Sequence, residues 1–182
     1  YHGAVRTPLC ALAPRIALQG QSLNVMNEFF ASSADVYRLT GELDPAHDLY
    51  PTADNAAKSL PATRQRLARM LGCDVRDASD AEWLDCARAW RAAQIDALAD
   101  SLRRVLSALP AAAEGAPRRL TVVSAGCGDF LVPDLLAIAG APDAPTPQIL
   151  RYGHDVARVA PGGPSADVAG WAQVCAPSVA VA

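Results

Sequence analysis

The chain has 182 residues and a formal net charge of −3, with 51% hydrophobic and 19% charged side chains. That length suffices for one domain or slightly more, burying about 70% of the unfolded surface. No basic stripe marks a phosphate-tracking nucleic-acid surface, no run of about 20 apolar residues would span a membrane, and no signal-peptide pattern is present.

Alanine supplies about a fifth of the chain, well above ordinary usage, so a core must come from a modest set of Leu, Val, Ile and Trp. Cys10, Cys73, Cys86, Cys127 and Cys175 are odd in number and never in C-x-x-C spacing. They read as free thiols of a reducing, cytoplasmic setting, with neither a disulfide framework nor a zinc site. The opening at Tyr1 looks like the middle of a sheet, and Pro177–Ala182 look like the start of a helix. A partial sequence or split subunit is therefore expected.

Residues 1–30 read as a β-meander. Ala4–Leu12 and Arg15–Gln19 hold β-compatible mixtures parted by Pro14, and Gly20-Gln21 fits a two-residue type II′ turn leading into Ser22–Met26. Pro8 and Pro14 confine those segments to edges or strand ends. Residues 31–119 read as helical. Ser32 or Ser33 caps a helix over 34–40 with Gly41 as its terminator, and 42–60 is a loop. Pro61 opens a helix over 61–71 that Gly72 closes. Ser79-Asp80-Ala81-Glu82 is a capping box. Behind it Trp83, Ala87, Trp90, Ile95, Leu98, Leu102, Val105, Leu106 and Leu109 recur at three- and four-residue steps, predicting one amphipathic helix over roughly 80–109. After a linker at 111–119, residues 120–182 read as an α/β segment. Leu120–Ala125 is apolar enough for a strand covered on both faces. Gly126-Cys127-Gly128-Asp129 makes a tight turn, Phe130–Ala139 is a helix ended by Gly140, 141–147 is a loop, and Gln148–Tyr152 is one more strand.

Three constellations can carry chemistry. Glycines between a buried strand and a helix let a ligand approach the backbone, and free amides at a helix start favour an anion such as a phosphate. Gly126, Cys127, Gly128 and Asp129 are the cofactor-binding candidates on that ground, against the plainer reading of a tight turn with a capping aspartate. The turn is neither G-x-G-x-x-G nor a Walker A loop. Cys127 is a thiolate candidate, against the reading of a small residue that fits. A second group, Asn24, Asn27, Glu28 and Asp35, gathers amides and carboxylates where sheet gives way to helix. Within it Glu28 and Asp35 are the acid–base candidates, against a cap plus solvated turn residues. A third, Asp54, Asn55 and Lys58, places the sole lysine four residues after a carboxylate, within reach of an anionic ligand or simply solvated. Arg6 beside Thr7 and Pro8 joins the substrate-binding candidates. His2, His47 and His154 share no metal spacing, and neither H-E-x-x-H nor G-x-S-x-G is present.

The runs Tyr1–Leu12, Asn27–Gly41, Pro51–Lys58 and Ser124–Leu131 resemble segments of the hydantoinase/oxoprolinase-like proteins linked to tetrahydromethanopterin-dependent C1 transfer. The resemblance implies an α/β, duplicated actin/sugar-kinase/Hsp70-like (ribonuclease H-like) fold with a cleft between two lobes. This chain would be the second lobe, needing an N-terminal lobe as partner, and a homodimer is possible. Gly126, Gly128 and Asp129 would lie on the wall that receives a nucleotide or a diphosphate. Archaeal relatives of this kind join an aminomethylfuran diphosphate to the phenol of glutamyl-tyramine and displace pyrophosphate. The implied function is thus a transferase of methanofuran-type cofactor synthesis using Mg²⁺ and ATP or a diphosphate-bearing substrate. An ATP-dependent amidohydrolase and a non-catalytic nucleotide- or partner-binding protein are the rival expectations.

Overall fold

Two tryptophans seven residues apart, Trp83 and Trp90, are both fully buried, and they fix how the first half of the chain packs. The computed structural model describes residues 2–110, 120–140, 145–158 and 167–181. It is mixed α/β and divides into two compact units, 1–98 and 99–182. The expected meander and the first helices thus share one unit, and the division falls inside the long helix.

In the first unit, β1 (Arg15–Leu18) and β2 (Gln21–Asn24) form an antiparallel hairpin with Ile16 opposite Leu23. The turn lies one residue earlier than expected. Gln19 and Gly20 both take positive φ, 52° and 73°, which is the geometry of a type I′ turn and matches strand twist. Ala4–Leu12 is not a strand: residues 9–11 form a short 3-10 turn, and only Pro8 makes an isolated bridge, with Ser32. Proline lacks an N–H to continue a ladder. The segment instead lends its carbonyls to the next helix, α1 (Ser33–Thr40). Ser33 N donates to Thr7 O at 2.8 Å and Ala34 N to Val5 O at 3.4 Å, so amides that a helix start leaves open are satisfied by the chain itself.

α2 (Leu60–Leu71) begins after Ser59, whose hydroxyl accepts from Ala62 N, and stops at Gly72 with φ 66°. Its buried face is Thr63, Arg66, Leu67, Met70 and Leu71. α3 (Asp80–Ala108) starts at the expected capping box: Ser79 N donates to Glu82 Oε2 at 2.7 Å, and Glu82 N to Ser79 Oγ at 3.4 Å. Trp83, Cys86, Ala87, Trp90 and Ile95 line the core, and Trp83 Nε1 donates to Val75 O at 2.8 Å. The apolar stripe does not stay buried along its whole length, since Val105 and Leu109 are exposed. Among the described residues no helix is long and apolar enough to cross a membrane.

In the second unit, β3 (Thr121–Ser124) pairs in parallel with β4 (Gln148–Arg151), Ser124 opposite Arg151. Between them in the chain lies α4 (Val132–Ala139), entered through a 3-10 turn at 129–131. β3 is not covered on both faces: only Ser124 is buried, and Val123 is 51% exposed. α5 (Val168–Val174) and α6 (Ala176–Val179) complete the unit. The predicted linker 111–119 and residues 141–144 of the predicted loop lie outside the described residues.

Candidate functional site

Asp35 becomes a keystone rather than a free acid–base group. Its side chain is 1% exposed. Oδ1 accepts from Arg38 Nη1 at 2.7 Å and Arg66 Nε at 2.8 Å, while Oδ2 accepts from Ser32 N at 3.0 Å. Arg66, fully buried, continues to Asp54 Oδ1 and the Ala57 carbonyl, both at 3.2 Å. Arg38 continues to Asp48 Oδ2 at 2.7 Å. Lys58 Nζ donates to the Asp48 carbonyl and stands 3.3 Å from its Oδ1. Oδ1 is buried with no directed hydrogen bond, so this last contact is an ion pair by distance alone. Buried charges persist where such partners surround them. The network ties α1, the 42–59 loop and α2 together, and it consumes Asp35, Asp54 and Lys58 in structure.

Within that network Asp54 is shifted below the usual carboxylate range. Burial pushes it up, but the Ala56 amide, Arg66, Thr52 and Arg69 together outweigh burial. Asn55 is exposed with φ 55°, a left-handed conformation that asparagine tolerates in turns. Arg6 is exposed and lies over the Tyr50 ring, 4.8 Å from its centre. Asn24, Asn27 and Glu28 are exposed at the end of β2 and just beyond it. The sequence grouping of Glu28 with Asp35 therefore separates into a solvent-facing carboxylate and a buried, fully engaged one.

The glycine turn stands at the carboxyl ends of the two parallel strands, where open α/β sheets commonly receive ligands. Gly126 takes φ +90°, and nothing lies within 4 Å of where a Cβ would sit. Its glycine is thus demanded by backbone conformation. Its amide is already used, donating to Gln173 O at 2.8 Å, and Asp129 N donates to Gly126 O at 3.3 Å. The expected four-residue anion nest is reduced accordingly. Neither amide of Cys127 and Gly128 has a hydrogen bond to another described residue, although that of Cys127 acts on its own thiol. The Cys127 thiol is pushed up, first by burial and then by Cys175 and Asp129, against the pull of its own amide. That is the reverse of an activated thiolate.

Two residues that sequence reasoning missed complete this site. Arg151, at the end of β4, donates from Nε to Asp129 Oδ2 at 3.1 Å. Gln173, buried on α5, donates from Nε2 to both Ser124 O and Asp129 Oδ2, at 3.0 and 3.1 Å, and accepts Gly153 N at 2.8 Å. A Cβ on Gly153 would lie 2.2 Å from Ala169 O and 2.3 Å from Gln173 N, so α5 rests directly on that backbone. Arg151 had a readable signal: it is the penultimate residue of the predicted strand Gln148–Tyr152. Gln173 had none, since its helix was not foreseen.

The expected Mg²⁺ finds no ready-made cage. Among the described residues no group of three or more His, Cys, Asp or Glu side chains could hold a metal. At the turn the one carboxylate, Asp129, already shares Oδ2 with Arg151 and Gln173. An apolar groove of about 960 Å³ also lies in the second unit, lined by Leu106, Leu120, Pro133, Leu136 and Ile149 among others. None of the candidate residues lines it.

No protein-family model matches the chain. Over 87 residues it is 32% identical to the (4-{4-[2-(gamma-L-glutamylamino)ethyl]phenoxymethyl}furan-2-yl)methanamine synthase of Methanocaldococcus jannaschii. The match takes in 48% of this chain and 26% of the archaeal enzyme, so it spans about a quarter of that relative's length.

Proposed function

We propose that the protein takes part in the synthesis of a methanofuran-type cofactor for tetrahydromethanopterin-linked one-carbon metabolism, as a transferase that makes an aryl furylmethyl ether. The observation that carries this reading is the 32% identity to the archaeal synthase. The relative's name describes a product in which a phenol oxygen is joined through a methylene to a furan. In the proposed step the phenol oxygen bonds to the furan's methylene carbon. The bond from that carbon to the diphosphate oxygen breaks, pyrophosphate departs with the electron pair, and the phenol proton passes to a base or solvent.

The chain's contribution in this reading is to the leaving group. Negative charge grows on the departing diphosphate, and fixed donors aimed at it lower the barrier without needing to reorganise. The Cys127 and Gly128 amides are such donors, and the carboxyl edge of β3 and β4 is where they stand. Mg²⁺ enters as the counter-ion of the diphosphate substrate, held mainly by phosphate oxygens and water as is usual for this ion. The strand pair would then belong to the second lobe of an actin-like fold.

The test is turnover. Protein incubated with an aminomethylfuran diphosphate, γ-glutamyl-tyramine and Mg²⁺ should release pyrophosphate and form the ether in equal amounts. No pyrophosphate from authenticated substrates would remove the reading. Amide-dependent production of ADP from ATP would replace it with an amidohydrolase.

A further inference from the structure

Resting on the diphosphate reading above, we propose that Arg151 is the specificity-determining residue of the turn, gripping the substrate's diphosphate through the open edge of its guanidinium. A guanidinium has five N–H donors in a fixed planar fork. Only the Nε–H of Arg151 is used among the described residues, toward Asp129 Oδ2. Both Nη groups are without a described partner, and the side chain is 51% exposed. Arg38 and Arg66 differ: their forks are spent on Asp35, Asp48, Asp54 and Thr63 inside the first unit.

The anchoring is layered. Gln173 holds the Asp129 carboxylate, and Asp129 holds Arg151 by the nitrogen that bidentate phosphate recognition does not require. At the root of the side chain, Arg151 N donates to Asp155 Oδ2 at 2.6 Å, which fixes the backbone from which the arm projects. Less side-chain freedom then remains to be lost when an anion arrives. Asp129 also sets selectivity. Its negative charge cancels that of the arginine at long range, so a weakly charged anion gains little. A diphosphate can engage the fork and the Cys127 and Gly128 amides together. The ligand class is an alkyl diphosphate, with Asp129 and Gln173 as positioning residues.

The experiment is isothermal calorimetry of the 182-residue chain with inorganic pyrophosphate, repeated with a furylmethyl diphosphate and with ADP. Arg151→Ala should weaken pyrophosphate binding about tenfold to a hundredfold, the value of losing charge-assisted hydrogen bonds. Arg151→Lys keeps the charge and can still meet Asp129, so its fold is safe. It should recover only a minor part of the affinity, because it lacks the fork. Arg88→Ala, an equal change in net charge at an exposed pair with Asp85, should bind as wild type does. Furylmethyl diphosphate should show the same Arg151 dependence, and so should ADP, whose diphosphate is likewise a primary alkyl ester. Wild-type binding that survives Arg151→Ala overturns the role of Arg151 and leaves the diphosphate reading standing. Full recovery by Arg151→Lys overturns the fork, and equal weakening by Arg88→Ala reduces the effect to net charge. Binding of ADP without binding of pyrophosphate or furylmethyl diphosphate makes the nucleoside the recognised group and overturns the alkyl diphosphate assignment. No pyrophosphate binding by wild type overturns both readings.

Discussion

Replacing Asp35 with asparagine separates a structural carboxylate from a catalytic one. Asp35→Asn keeps the shape and one acceptor oxygen but removes the charge that faces Arg38 at 2.7 Å and Arg66 at 2.8 Å. Removing one partner of a buried ion pair costs about 3–5 kcal/mol, because the other charge stays behind without compensation. The lower end applies here, since Arg66 keeps Asp54 and Arg38 keeps Asp48. With a urea slope of about 1–3 kcal/mol per molar, the midpoint should fall by roughly 1–3 M. Intrinsic fluorescence of Trp83 and Trp90, both fully buried in the same unit, reports the transition. A midpoint within about 0.3 M of wild type would refute the structural reasoning. Were such a stable variant also inactive in ether formation, the carboxylate would be catalytic after all.

Three further outcomes are expected. Gly126→Ala should cost about 1–2 kcal/mol for forcing a side chain into φ +90°, whereas Gly153→Ala should disrupt the second unit more severely, since a Cβ there meets backbone atoms of α5; hydrogen exchange of the β3 and β4 amides reads both. Ser33→Ala should stabilise the protein by up to about 1 kcal/mol, because the buried Ser33 hydroxyl has no hydrogen-bond partner among the described residues, and chemical denaturation measures it. Asp54 lies below its ordinary range when folded, so its contribution is present above the unfolded value of about 3.9 and is lost as pH falls through the folded one. The stability gap between wild type and Asp54→Asn should therefore narrow as pH is lowered below about 4.

What could be read in advance was local. The helix ends were announced by residues that act on their own neighbours: Ser32 or Ser33 before the first helix, Pro61 at the opening of the second, Ser79 with Glu82, and glycines at 41 and 72. The strand–turn–helix order around Gly126 was legible for the same reason. The N-terminal segment was not, because β-compatible composition says nothing of partners. Pro8 cannot extend a ladder, and the carbonyls of Val5 and Thr7 serve α1 instead. The turn type was missed because Gln19, a side chain not expected at positive φ, takes φ 52° there. α5 escaped because seven residues give too little periodicity, although Asp167 caps it by accepting from Gly170 N.

The site divided along the same line. Glycines and Asp129 were visible, while Arg151 and Gln173, 22 and 44 residues further along, arrive only through strand pairing and helix packing. Conversely, Asp35, Asp54 and Lys58 looked like ligand contacts since sequence shows charge but not burial. Their partners, Arg38, Arg66 and Asp48, answer those charges within the fold.

The most direct measurement is a crystal structure of the protein with a non-cleavable furylmethyl bisphosphonate. The account predicts phosphonate oxygens on the Cys127 and Gly128 amides and on the Arg151 fork, with Gly126 N still bonded to Gln173. A bisphosphonate bound elsewhere, with those amides turned inward, would contradict it.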